Sequence, residues 1–209
     1  MSEREAIPSF YFDVLQTLEE IGAPYMIIGG FAAAAYGSAR VTYDIDIVVD
    51  LKEAHIRALA DRYPPPRYYA GPQQMRDSVR HGILFNLIDT ERGQKVDLVP
   101  LTMDPRYREA LARRLRRTIE DPSGARFEAW FARPEDVIVG KLMAWVESRS
   151  RRHEEDIYRI LVFVYLGEDP TLKADFDEGY VERHARALGV EVTTLWGRLQ
   201  QTAKEEARS

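Results

Sequence analysis

Between Tyr25 and Asp50 the chain reads YMIIGGFAAAAYGSARVTYDIDIVVD, and this stretch restricts the fold more tightly than any other. Tyr25–Ile28 is an apolar run short enough for a buried strand. Gly29-Gly30 stops it, and the alanine-rich segment Phe31–Tyr36 favours a short helix before a second breaker at Gly37-Ser38. Val41–Asp50 then alternates β-branched with polar residues, the pattern of another strand. So short a helix lets the chain return at once, so the second strand is expected beside the first. Side chains alternate along a strand, which puts Asp44 and Asp46 on one face and turns Ile45, Ile47 and Val49 toward the core.

Two carboxylates on one face lie about 6–7 Å apart at their α-carbons. At an effective dielectric near 20 and a separation near 5 Å, their repulsion is about 3 kcal/mol. Such a pair calls for bulk water or a cation. With no cysteine in the chain, the oxygen donors suit a hard ion, Mg²⁺ or Mn²⁺. The alternative is an outer strand face simply solvated by its acids. Gly29-Gly30 also has two readings. Glycine lets the backbone approach a phosphate closely, with the first helical N–H groups as donors, or it serves only as a tight strand-to-helix turn.

Elsewhere, helical periodicity marks Phe10–Ile21 and Lys52–Arg62, the latter ended by Pro64-Pro65-Pro66. Ile83–Asp89 and Lys95–Val99 read as strands joined through Gly93 in an antiparallel hairpin. In the second of these, Asp97 shares a face with Lys95 and Val99, so pairing beside the Asp44–Asp46 strand would bring three carboxylates together. Asp104–Arg117 reads as a basic helix on which Arg106, Arg113 and Arg117 overlap, either a track for a phosphate backbone or a solvated face. Arg126–Phe131 is a further short strand. Beyond it, helices are expected over Glu135–Ser148, Glu154–Leu166 and Asp177–Leu188, with a last one from Val192. The expected fold is α+β, with a mixed β-sheet domain flanked by helices over residues 1–125 and a mainly helical C-terminal subdomain over 126–209.

A strand, Gly29-Gly30, a short helix, the run Arg40-x-Thr42-x-Asp44-x-Asp46 and a later strand aspartate, Asp97, together resemble the DNA polymerase β-like nucleotidyltransferase superfamily. Downstream, KLMAWVESRSRRHEEDI is similar to the branch that includes AbiEii-type toxins of bacterial toxin–antitoxin systems, with Lys141, Arg149 and Asp156 in the places of its recurring lysine, basic residue and aspartate. The resemblance spans 24–156. It implies transfer of a nucleoside monophosphate from a nucleoside triphosphate to an acceptor, either RNA (a tRNA 3′ end) or a protein hydroxyl. Asp44 and Asp46 would bridge Mg²⁺ or Mn²⁺, and Asp97 would hold the second ion or take the proton. Gly29, Gly30, Arg40, Thr42, Lys141, Arg149 and Asp156 would bind the nucleotide, with the Gly29-Gly30 amides and Lys141 neutralising its phosphates and Arg40 holding either the loop or a phosphate. The plainer alternatives are a snorkelling Lys141 and an interhelical ion pair of Arg149 with Asp156. Many relatives carry a serine where Gly30 stands. Two rival readings remain open: a small-molecule acceptor of the aminoglycoside kind, and a catalytically silent binding module, for example paired with an antitoxin.

Composition narrows the partners. The 209 residues carry 29 Lys+Arg against 34 Asp+Glu, a net charge of −5, which argues against a polycationic nucleic-acid coat. Hydrophobic residues at 45% and charged residues at 30% are globular values. The acidic start MSEREAIPSF lacks a signal-peptide pattern and no apolar run reaches the roughly 18–20 residues of a membrane span. A cytoplasmic protein without membrane contact is expected.

Overall fold

The computed structural model describes residues 9–38, 44–120, 124 and 126–208. Among the described residues, seven strands form one mixed sheet: β1 (Tyr25–Ile28), β2 (Ile45–Val49), β3 (Tyr68–Tyr69), β4 (Phe85–Asp89), β5 (Gln94–Pro100), β6 (Leu115–Glu120) and β7 (Arg126–Phe131). Their order is β3-β4-β5-β2-β1-β7-β6. The described helices are α1 (Phe10–Glu20), α2 (Gly29–Ala35), α3 (Glu53–Arg62), α4 (Pro72–His81), α5 (Arg106–Ala112), α6 (Pro134–Ser148), α7 (Arg151–Leu166), α8 (Pro170–Asp175), α9 (Glu178–Leu188) and α10 (Val190–Glu206). The α+β class with a mixed sheet and a helical C-terminal part is therefore as expected. Among the described residues, no helix is long and apolar enough to cross a membrane.

The chain forms two compact units, one of Met1–Ile28 with Tyr43–Ala132, the other of Gly29–Thr42 with Arg133–Ser209. In the first, β2 runs antiparallel to β1 and parallel to β5, and β5 pairs antiparallel with β4 through the expected hairpin. Alternation sorts the two faces. Phe85, Leu87, Val96 and Leu98 are buried on the apolar side with Ile45 and Ile47, each such side chain contributing about 1.5–3 kcal/mol on burial. Helix α1 brings Phe10, Phe12, Val14, Leu15 and Leu18 to this core, all at most 2% exposed. The Phe10 N–H donates to Gln94 Oε1 at 3.1 Å, tying the helix start to β5. Phe10 also stacks on Tyr68, with Tyr63 edge-on to both.

One expectation fails. The basic segment 104–117 is not a single helix, because α5 ends at Ala112 and β6 starts at Leu115. Leu115, Arg117 and Ile119 alternate with exposed Arg116, Thr118 and Glu120, and β-branched Thr118 and Ile119 favour the strand. Arg106 opens α5 and grips Asp104, while Arg117 sits on β6 opposite Ala129, so no continuous arginine face exists. Arg114 and Arg116 instead lie over the Trp130 ring at 4.5 and 4.2 Å.

In the second unit, α6, α7, α9 and α10 pack around Ile138, Leu142, Ile157, Ile160, Leu161, Val181 and Leu195, all buried, and α2 joins α6. Pro134 occupies the first turn of α6, where its missing N–H costs nothing. Asp169 and Asp177 cap α8 and α9 by accepting backbone N–H bonds.

Candidate functional site

Within the first unit, register decides which polar residues meet. Asp46 on β2 and Asp97 on β5 are direct Cα partners in a parallel pair, and Asp97 is in turn opposite Asn86 on β4. Directly paired residues face the same side of a sheet, so Asp46, Asp97 and Asn86 form one polar row across three strands. Ile28, the last residue of β1, continues the row beside Asp46. The three-carboxylate arrangement anticipated from alternation is met in register for Asp46 and Asp97, and Asp44 stands immediately before β2.

Asp97 is held from two sides. The Asn86 amide donates to its Oδ1 and the Lys95 ammonium donates to its Oδ2 at 3.0 Å. The same ammonium lies 3.6 Å from Asp44 Oδ2. Lys95 thus bridges two of the three acids. Its hydrogen bond to Asp97, aided by the charges of Asp97 and Asp44, holds the lysine above the ordinary ammonium range despite partial desolvation. Exposure is graded across this trio, with side chains 13% exposed at Asp97, 39% at Lys95 and 56% at Asp44.

Tyr107 on α5 belongs to the same neighbourhood. Burial first, then the charges of Asp104 and Asp46, push its hydroxyl upward, so it stays a neutral hydrogen-bonding group at physiological pH. Arg106 grips Asp104 through its backbone N–H and its guanidinium, fixing the start of α5. Among the described residues no group of three or more His, Cys, Asp or Glu side chains is arranged to hold a metal ion. Lys95 places a positive charge between Asp44 and Asp97.

The second unit holds the other candidates. Gly29, with φ +67°, and Gly30 open α2, the left-handed backbone at Gly29 being one that glycine adopts without strain. Lys141 on α6 donates to Asp156 Oδ2 on α7 at 2.6 Å, and Ser38 donates to Asp156 Oδ1 at 2.8 Å. All three residues are buried. Arg149, in the left-handed region at φ 52°, turns elsewhere, pairing with Glu191 at 2.6 Å and lying over Trp145 at 4.3 Å. Lys141 and Asp156 are therefore brought together and Arg149 is not. Arg40 and Thr42 lie outside the described residues.

Asn86, Tyr107 and Ser38 escape the sequence reading. The hairpin register implies Asn86, since a strand partner of Asp97 two residues into β4 must share its face. Nothing local marks Tyr107 or Ser38, whose roles come from tertiary contacts.

No family model matches this chain and no curated protein matches it. Solved structures similar to it include an antigenic nucleotidyltransferase-like protein from Paracoccidioides brasiliensis, at 17% identity over 74% of this chain and 73% of that one, with a TM-score of 0.45. Another is the antibiotic-resistance factor ANT(2'')-Ia, at 14% identity over 95% of this chain and 89% of that one, with a TM-score of 0.37. Both TM-scores lie below 0.5.

Proposed function

We propose that the chain is a divalent-metal-dependent nucleotidyltransferase, moving a nucleoside monophosphate from a nucleoside triphosphate to an acceptor hydroxyl and releasing pyrophosphate. The observation that carries this reading is the in-register pair Asp46–Asp97 on one sheet face, with Asp44 joined to Asp97 through Lys95. The fit to Mg²⁺ or Mn²⁺ is one of donor type and register: carboxylate oxygens only, on adjacent strands, with a cation already drawn between two of them. Asp44, Asp46 and Asp97 are the residues that would hold the ion. When bound, it would supply charge neutralisation for the triphosphate and a lowered pKa at the acceptor hydroxyl.

The chain's own groups account for orientation. Asn86 and Lys95 fix the Asp97 rotamer by engaging both of its oxygens. Tyr107 offers a neutral hydroxyl that feels the charge of Asp46. In the second unit, Gly29-Gly30 and Lys141 are proposed to meet phosphate. An ammonium carries three donors, of which Asp156 takes one. RNA, and tRNA ends in particular, is the proposed acceptor, and the role of a toxin with a cognate antitoxin goes with it.

The test is incubation with nucleoside triphosphates labelled at the α-phosphate, Mg²⁺ or Mn²⁺, and total RNA, a protein mixture or an aminoglycoside. Label on RNA with the wild type, and none with Asp44→Ala plus Asp46→Ala, supports the proposal. Label on protein or aminoglycoside keeps the chemistry and changes the acceptor. Nucleotide binding without transfer to any acceptor contradicts the proposal and favours a binding module.

A further inference from the structure

Lys95 stands where a cation would stand. Its ammonium is 3.0 Å from Asp97 Oδ2 and 3.6 Å from Asp44 Oδ2, and its aliphatic stem rises from the same strand as Asp97, two residues away on the same face. Both carboxylates belong to the proposed metal-holding set, and two cations cannot share these oxygens at contact distance without strong repulsion. We propose that Lys95 is a built-in counter-ion of the acidic row and that a divalent ion loads only by displacing it. The proposal rests on the reading of these carboxylates as the metal-holding residues.

The geometry favours exchange over permanent occupation. Asp97 is 13% exposed and Asn86 holds its other oxygen, so the carboxylate is fixed whichever cation it faces. Lys95 is 39% exposed on a flexible four-carbon stem and Asp44 is 56% exposed, so the ammonium can swing to solvent without unburying apolar surface. The resident lysine offsets the repulsion within the row when no ion is bound. The cost of displacing it falls on metal affinity, which is therefore weak in the free protein. A nucleotide arriving with its own metal would bring both the displacing charge and new anionic oxygens for the released ammonium.

The experiment is Mn²⁺ binding to the purified full chain, read as loss of the free Mn²⁺ paramagnetic resonance signal, without nucleotide. Lys95→Met is expected to bind Mn²⁺ about tenfold more tightly than wild type, equivalent to displacing one partly screened ion pair of about 1.4 kcal/mol. Lys95→Arg, which keeps the charge, is expected to show no such gain. Equal or weaker binding by Lys95→Met, with circular dichroism unchanged, overturns the proposal. A double variant, Asp46→Asn with Asp97→Asn, separates the two levels. If it binds Mn²⁺ as wild type does, the ion sits elsewhere and the reading of the carboxylates fails. If it loses binding while Lys95→Met equals wild type, only the counter-ion proposal fails. Should Lys95→Met not fold, acetylation of wild-type Lys95 followed by mass spectrometry serves instead. The rate is expected to rise several-fold on adding Mn²⁺, and an unchanged rate refutes displacement.

Discussion

Removing the charge of Lys141 tests the account of the second unit most severely. Its ammonium sits 2.6 Å from Asp156, with side chains 9% and 3% exposed, and Ser38 donates to the other carboxylate oxygen. Lys141→Met keeps the stem's volume and a residue of good helix propensity, so the change isolates the charge. Asp156 is then left ionised and buried with one neutral donor, a loss of about 3–5 kcal/mol. For a chain of this size that is roughly 6–20 °C in Tm. Replacing both partners with apolar residues, Lys141→Met with Asp156→Leu, removes the stranded charge. It is expected to recover most of the loss, short of about 1 kcal/mol for the hydrogen bond Ser38 gives up. Thermal and urea melts followed by helical circular dichroism supply the numbers. A single variant within about 1 kcal/mol of wild type would mean the pair is screened by solvent, and the reasoning from burial would be refuted.

Other outcomes follow from particular contacts. Gly82 ends α4 at φ +65°, where an added Cβ would meet Thr102 O at 3.0 Å and Met103 Cα at 3.1 Å. Gly82→Ala is therefore expected to cost at least about 1–2 kcal/mol in a urea melt. Burial alone would raise the Asp89 carboxyl, but the hydrogen bonds from Arg67 and from the Arg92 and Glu91 backbone, together with the Arg67 charge, hold it below the ordinary range. A depressed native pKa gives stability that is present above the unfolded value, near 3.9, and lost as pH falls through the native one. Asp89→Asn should lower stability at pH 7 by about 1–3 kcal/mol and flatten the loss below pH about 4, as acid titration of the melting curve would show. Asn86→Ala removes the hydrogen bond to Asp97 Oδ1, and label transfer is expected to fall about tenfold or more for a stability loss of only about 1–2 kcal/mol.

Much of this architecture could be read along the chain, because its strands are short, bounded by glycine or polar turns, and several of them alternate, as β4 and β6 do, between more and less buried residues. The hairpin and the common face of Asp46 and Asp97 followed from period-two alternation alone once β2 and β5 paired. The basic segment misled because arginine spacings of seven and four suit a helix, while the apolar alternation at Leu115 and Ile119 was outnumbered by charge. Helix α4 carries too few apolar residues to show a stripe; Pro72 at its start and Gly82 at its end were the signals present. The Lys141–Asp156–Ser38 contact joins residues 118 positions apart at its extremes, a distance over which no local pattern carries information. The bridging place of Lys95 depends on a rotamer, which sequence does not specify.

The most direct measurement is a crystal structure with Mn²⁺ and a non-hydrolysable nucleoside triphosphate, read by manganese anomalous scattering. The account predicts an anomalous peak coordinated by Asp46 and Asp97 oxygens, with the triphosphate on the same ion and the Lys95 ammonium moved away from Asp97. A peak elsewhere, or nucleotide bound with Lys95 still bridging Asp44 and Asp97, would contradict it.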